Sequence, residues 1–204
     1  MTDFLYKTLY DIEKFRPKAF EYYSNKSHGL IDKYIDLMKS DFGEEHYILL
    51  SALSNYFNFY KILDIGTYKG LSALALSYNK TNKVITYDIE DCYQVDFPSN
   101  LEYRLCKNPE NIFDIPDLYE TKMILLDIDP HDGIQEQRFY EYLMDSRYDG
   151  ILVLDDIHLN DGMKKFWNNI EHEKFDLTEI GHWSGTGLVN MTNNTLGKLN
   201  GREV

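Results

Sequence analysis

Between Phe4 and about Ser40 apolar side chains recur at mixed spacings of three and four: Leu5, Leu9 and Ile12, then Leu30, Ile31, Tyr34, Ile35, Leu37 and Met38. That is the period of a helix buried along one face, so two or three helices are predicted before any strand. The stretch Ser24-Asn25-Lys26-Ser27 with Gly29 separates the first from the second, and Asp41-Phe42-Gly43 supplies the turn that ends the second. A further helix is predicted from Glu44 to about Phe59, its two leading glutamates placed where the helix dipole favours negative charge.

After Tyr60 the pattern changes to short runs of Ile, Leu and Val alternating with helical stretches. Strands are predicted at Lys61–Ile65, Lys83–Tyr87, Glu102–Cys106, Lys122–Asp127, Gly150–Leu154, Phe175–Ile180 and Gly187–Met191. The fourth and fifth are apolar on both faces, as central strands of a parallel sheet must be when helices cover both sides. The expected architecture is an α/β three-layer sandwich: a doubly wound, mostly parallel, seven-stranded sheet preceded by N-terminal helices. Residues 1–43 form the helical segment beside the site, 44–192 the ligand-binding domain, and 193–204 a polar tail that frays.

Composition narrows the function. A hydrophobic content of 43% is too high for a disordered chain and a charged content of 27% too high for a membrane bundle. The net charge of −13 repels phosphate backbones and anionic lipid, so nucleic acid and membrane are not expected partners. Cys92 and Cys106 form no CxxC pair, which argues against a disulfide scaffold or a structural zinc site. Charged residues interrupt the first twenty positions, where a signal peptide would be apolar, so a cytoplasmic location is expected.

Ligands of doubly wound sheets bind outside the carboxyl ends of the strands. After the first strand comes Asp64-Ile65-Gly66-Thr67-Tyr68-Lys69-Gly70-Leu71-Ser72, a glycine turn leading into a helix. Such a turn lets backbone approach a ligand and presents free N–H groups to it. Asp88, ending the second strand about twenty residues later, is placed to accept both hydroxyls of a ribose. Together they suggest an adenosine-containing ligand. Thr67 stands where a dinucleotide fingerprint needs its second glycine, so a cofactor without pyrophosphate, S-adenosylmethionine above all, fits better than NAD.

The fourth strand ends in Asp127-Ile128-Asp129-Pro130-His131 and the fifth in Asp155-Asp156-Ile157-His158. Neighbouring strands lie about 4.8 Å apart, so these carboxylates share one site and need a counter-cation or raised pKa values. A hard divalent ion is the economical solution, with Mg²⁺ preferred over zinc because neither thiolates nor a set of histidines accompany the aspartates in the sequence.

The segment Asp64–Ser77 resembles the first motif of class I S-adenosylmethionine-dependent methyltransferases, nearest the cation-dependent O-methyltransferases of the catechol and caffeoyl-CoA type and their macrocin-type, sugar-modifying relatives. The resemblance runs from about Gly43 to Met191. It implies Asp64, Gly66, Thr67, Tyr68, Gly70 and Ser72 around the cofactor's methionine end, Asp88 on its ribose, and Asp127, Asp155 and Asp156 on the cation. It also implies a small-molecule substrate and a homodimer. Pro130 stands where the catechol-type enzymes have a lysine and displaces His131 from the macrocin-type Asp-x-Asp-His sequence, so the base remains open among His131, Asp129 and His158. The expected activity is transfer of a methyl group to a hydroxyl of a sugar, phenol or natural product. A metal-independent methyltransferase with a histidine base is the alternative, and a non-catalytic or NAD-linked nucleotide-binding protein is the alternative of another class. Trp183, in the loop Gly181–Thr186 expected to wall the substrate pocket, serves either as a stacking surface or as core.

Overall fold

The computed structural model of the chain describes residues 3–26, 32–56, 58, 60–94, 98–106, 115 and 118–192. The expected tail at 193–204 and the segment 107–114 lie outside them. Seven strands form one sheet: β1 (Lys61–Ile65), β2 (Lys83–Asp88), β3 (Leu101–Leu105), β4 (Thr121–Leu126), β5 (Ile151–Leu154), β6 (Glu173–Asp176) and β7 (Gly187–Asn190). Their spatial order is β3-β2-β1-β4-β5-β7-β6. β7 runs antiparallel to both its neighbours, and every other pairing is parallel. The order reverses between β1 and β4, which opens a crevice at their carboxyl ends.

Alternation along the central strands splits the core in two. Ile62, Met123, Leu125, Ile151 and Val153 point to one face of the sheet, where they pack with the helices α1 (Asp3–Lys26), α2 (Asp32–Met38), α3 (Tyr47–Tyr56) and α4 (Leu71–Leu76). Leu63, Ile65, Ile124, Leu126, Leu152 and Leu154 point to the other, under α5 (Ile134–Asp145) and α6 (Asp161–Asn169). α5 places Phe139, Tyr140 and Leu143 on its buried face at helical spacing. α3 is buried nearly all round, and its serines satisfy the end of α4: Ser51 Oγ donates to the carbonyl of Ala75 at 2.8 Å, and Ser54 Oγ to that of Leu76. The N-terminal helices therefore share one core with the sheet.

Several strand ends differ from expectation by one residue, and β6 and α3 differ by more. The strand predicted at Phe175–Ile180 stops at Asp176, whose Oδ1 accepts hydrogen bonds from Thr178 N (3.0 Å) and Thr178 Oγ1 (2.5 Å), turning the chain into one turn of 3₁₀ helix at Thr178–Ile180. The helix predicted from Glu44 begins at Tyr47. Residues 41–44 make a turn, Glu44 N bonding to Asp41 O at 3.1 Å, and His46 provides the carbonyl that Leu50 N bonds at 2.9 Å. Glu44 and Glu45 thus precede the helix, and this shift is what carries Glu45 and His46 to the site.

Candidate active site

The turn after β1 is shaped by its neighbours before any ligand is considered. Gly66 has φ +103°, and a Cβ there would lie 1.6 Å from the carbonyl oxygen of Asp127, so only glycine lets the β1–α4 connection cross the end of β4. Gly70 (φ 87°) turns the chain into α4. Beneath the turn is a buried polar network. Asp64 accepts hydrogen bonds from Thr86 Oγ1 (2.6 Å) and Ser72 Oγ (3.2 Å), and the hydroxyl of Thr67 meets that of Thr86 at 2.5 Å. Asp64, Thr67 and Ser72 are all buried, and they brace the turn from within. Tyr68, the exposed apex with φ 43°, reaches the surface of the crevice.

The crevice has a volume of about 1110 Å³. Gly66, Tyr68, Asp88, Cys92, Cys106, Asp127, Asp129 and His131 are among the residues that line it. Asp88 Oδ2 accepts from Tyr68 N at 2.6 Å and its Oδ1 from Glu90 N at 2.9 Å, so two backbone N–H groups fix the carboxylate at the rim.

At the ends of β4 and β5 the carboxylates are interleaved with imidazoles. His131 (φ 53°) turns back over Asp127, with Nε2 3.9 Å from Asp127 Oδ1 and 3.4 Å from Asp129 Oδ1, and Nδ1 3.5 Å from Asp156 Oδ2. Asn160 donates to the carbonyl of His131 at 2.6 Å and holds this loop against α6. Asp155 lies between two imidazoles, with His46 Nδ1 at 3.3 Å and His182 Nδ1 at 3.2 Å, while Ser184 Oγ donates to Asp156. Among the described residues, two groups offer three metal-binding atoms within 4.8 Å of one another: Asp127, His131 and Asp156, and Asp155, Asp156 and His182. Each pairs two carboxylates with one histidine.

Charge in this cluster is strongly redistributed. Burial, with Asp155 close by, raises the Asp127 pKa well above the ordinary carboxylate range. Burial alone would raise Asp155 too, but His46 and His182 outweigh it and hold this carboxyl below that range. Burial disfavours the His182 imidazolium, yet its bonds to Asp155 and Asp156 carry its pKa up to about 10. His46 is likewise raised by Asp155 against the cost of burial.

The candidates chosen from sequence are therefore placed in three groups. Gly66, Tyr68 and Asp88 line the crevice with Asp127, Asp129 and His131, and Asp155 and Asp156 stand behind them. Asp64, Thr67 and Ser72 lie under the turn, and Gly70 leads from it into α4. His158 does not line the crevice; its Nε2 bonds Asp176 Oδ2 at 2.7 Å. Glu45, His46, His182 and Ser184 were missed as individual residues. Three of the chain's six histidines converge on the aspartates, whereas in sequence they are dispersed. Trp183 is 66% exposed beside His182, so it is a surface aromatic and not core.

Comparison with solved structures finds this arrangement of strands and helices again. A Staphylococcus aureus protein provisionally named a caffeoyl-CoA O-methyltransferase superposes with a TM-score of 0.53 at 16% identity, over 70% of this chain and 80% of that one. The O-methyltransferase TomG from Streptomyces achromogenes, solved in complex with SAM, gives 0.51 at 17% identity over 71% and 78%. Cofactor-bound Rv0187 from MTB gives 0.51 at 14% identity over 72% and 79%. The chain has the methyltransferase fold. No family model matches the sequence, and no curated protein matches it either.

Proposed function

We propose that this chain is an S-adenosylmethionine-dependent O-methyltransferase, cation-assisted, acting on a hydroxyl group of a small molecule. The observation that carries the reading is one crevice lined both by Asp88 and the glycine turn and by Asp127, Asp129 and His131 at the end of β4. S-adenosylmethionine would supply a methyl group on a sulfonium, and a divalent cation among Asp127, Asp155 and Asp156 a Lewis acid that acidifies the acceptor hydroxyl. Asp88 would take the ribose hydroxyls: a carboxylate has about four lone-pair positions, and Tyr68 N and Glu90 N occupy two. His131, with Asp129 next to it at the mouth, would accept the hydroxyl proton. Trp183 offers an exposed face near His182 for an acceptor ring. Most of the rate enhancement would then be positioning and electrostatics.

A second reading keeps the cofactor and dispenses with the cation. It is favoured by Asp155, whose charge two imidazoles already compensate. Calorimetric titration with S-adenosylhomocysteine tests the cofactor: saturable binding is expected, weakened about tenfold or more in Asp88→Ala, and equal binding by the variant would sink the assignment. Exhaustive chelation decides between the readings. Turnover should stop while S-adenosylhomocysteine still binds; turnover that survives both chelation and Asp127→Ala supports the cation-free mechanism.

A further inference from the structure

The surroundings of His182 are not those of an ordinary hydrogen-bonded histidine. Its Nδ1 sits 2.9 Å from Ser184 Oγ, 3.2 Å from Asp155 Oδ1 and 3.4 Å from Asp156 Oδ1. One ring nitrogen carries at most one proton, so it cannot donate to all three oxygens. The two carboxylate spacings also have another meaning. Ligands on bonds of roughly 2.1 Å stand about 3.0 Å apart in an octahedron and about 3.4 Å apart in a tetrahedron. On its other side Nε2 lies 4.0 Å from Glu45 Oε2, close enough for the carboxylate charge to act on the ring but too far for a hydrogen bond.

An independent observation points to the same place. His46 is 3% exposed, and its Nδ1 stands 3.3 Å from Asp155 Oδ1, within ion-pair range but without a hydrogen bond to any described residue. Buried polar atoms without partners are uncommon, and an ion or water between the groups is one of the standard explanations.

The geometry points to a nitrogen-bearing divalent-cation site built from Asp155, Asp156 and His182, with His46 at its edge, that favours an imidazole-accepting cation such as Fe²⁺, Co²⁺ or Zn²⁺ over Mg²⁺. It rests on the reading of the strand-end aspartates as a cation site and changes the class of ion. The histidine set that the sequence did not display is assembled by the fold, and imidazole donors suit these ions whereas all-oxygen sets suit Mg²⁺.

The test uses the whole chain, stripped by chelation and titrated with Co²⁺, with S-adenosylhomocysteine titrated in parallel. The wild-type Co²⁺ complex should show a strongly shifted, solvent-exchangeable imidazole N–H resonance in its proton spectrum. His182→Gln should lose that resonance and about tenfold or more in Co²⁺ affinity, while Mg²⁺ affinity changes less than about threefold. Glu45→Gln, which leaves the ring in place, should keep Co²⁺ bound but move the resonance, so the result does not depend on one variant folding. A Co²⁺ complex without a shifted N–H signal, or unchanged Co²⁺ affinity in His182→Gln, would overturn the assignment. Failure of Co²⁺ binding with S-adenosylhomocysteine binding intact removes this cation site and leaves the methyltransferase reading standing; failure of both removes both.

Discussion

Asp64 is fully buried beneath the β1–α4 turn, where burial pushes its pKa up to about 7 even though Thr86 and Ser72 donate to it. An acid whose pKa is higher in the folded state binds its proton more readily there. Its contribution is therefore largest below about pH 4 and is lost as the pH rises through 7. Asp64→Asn, which has no charge to bury, should gain stability relative to wild type as pH climbs from 4 to 7, by up to about 4 kcal/mol. Urea unfolding across that range measures it, and parallel profiles for the two proteins would refute it. At this scale the sequence sets Asp64 at the head of the glycine motif but says nothing of its burial, because burial depends on what α4 and β2 lay over it.

Elements carry the next level of control, since each site residue is aimed by the end of a strand or helix. α6 begins at Asn160, which does two things: its Oδ1 caps the helix by accepting from Met163 N at 3.0 Å, and its amide donates to the carbonyl of His131 at 2.6 Å. Asn160→Ala is expected to cost about 1 kcal/mol from the lost cap, and more from the freed His131 loop. Thermal unfolding checks the stability. A matched drop in turnover at unchanged S-adenosylhomocysteine affinity would show that the loop, and not the cofactor end, has loosened. The central strands were legible because β4 and β5 are apolar on both faces, a local pattern. β6 ends short of its expected span because the hydrogen bonds from Thr178 to Asp176 turn the chain, and in sequence Asp176 reads as one more polar position in a strand.

For the whole molecule, the question is whether the N-terminal helices are an appendage or part of the fold. Ile12, Ala19 and Tyr23 of α1 are buried in the same core as Ile62 and Val153 of the sheet, and the Tyr23 hydroxyl meets Ser51 Oγ at 2.7 Å and the Tyr47 carbonyl at 2.8 Å. Removing residues 1–26 should abolish cooperative unfolding, because α3, buried nearly all round, would lose the helix packed against it. A truncated chain with a sharp, near-native melting transition by circular dichroism would contradict this. No helix among the described residues is long and apolar enough to cross a membrane. The acidity of the chain also looks different at this scale: of its net charge of −13, the part at the ends of β4 and β5 is matched by imidazoles drawn in from elsewhere.

By itself the sequence determined the succession of elements, the doubly wound sheet, the glycine turn with its acidic partner Asp88, and the aspartates at two strand ends. All of these are written in local spacing, and parallel strands with short connections bring their carboxyl ends together without further instruction. Only the tertiary structure decided which histidines meet those aspartates. His46 arrives from the start of α3, more than a hundred positions before Asp155, and His182 arrives because antiparallel β7 returns the preceding loop to the end of β5. Nothing in the spacing of six scattered histidines encodes that meeting; it follows from packing helices and strands around a shared core.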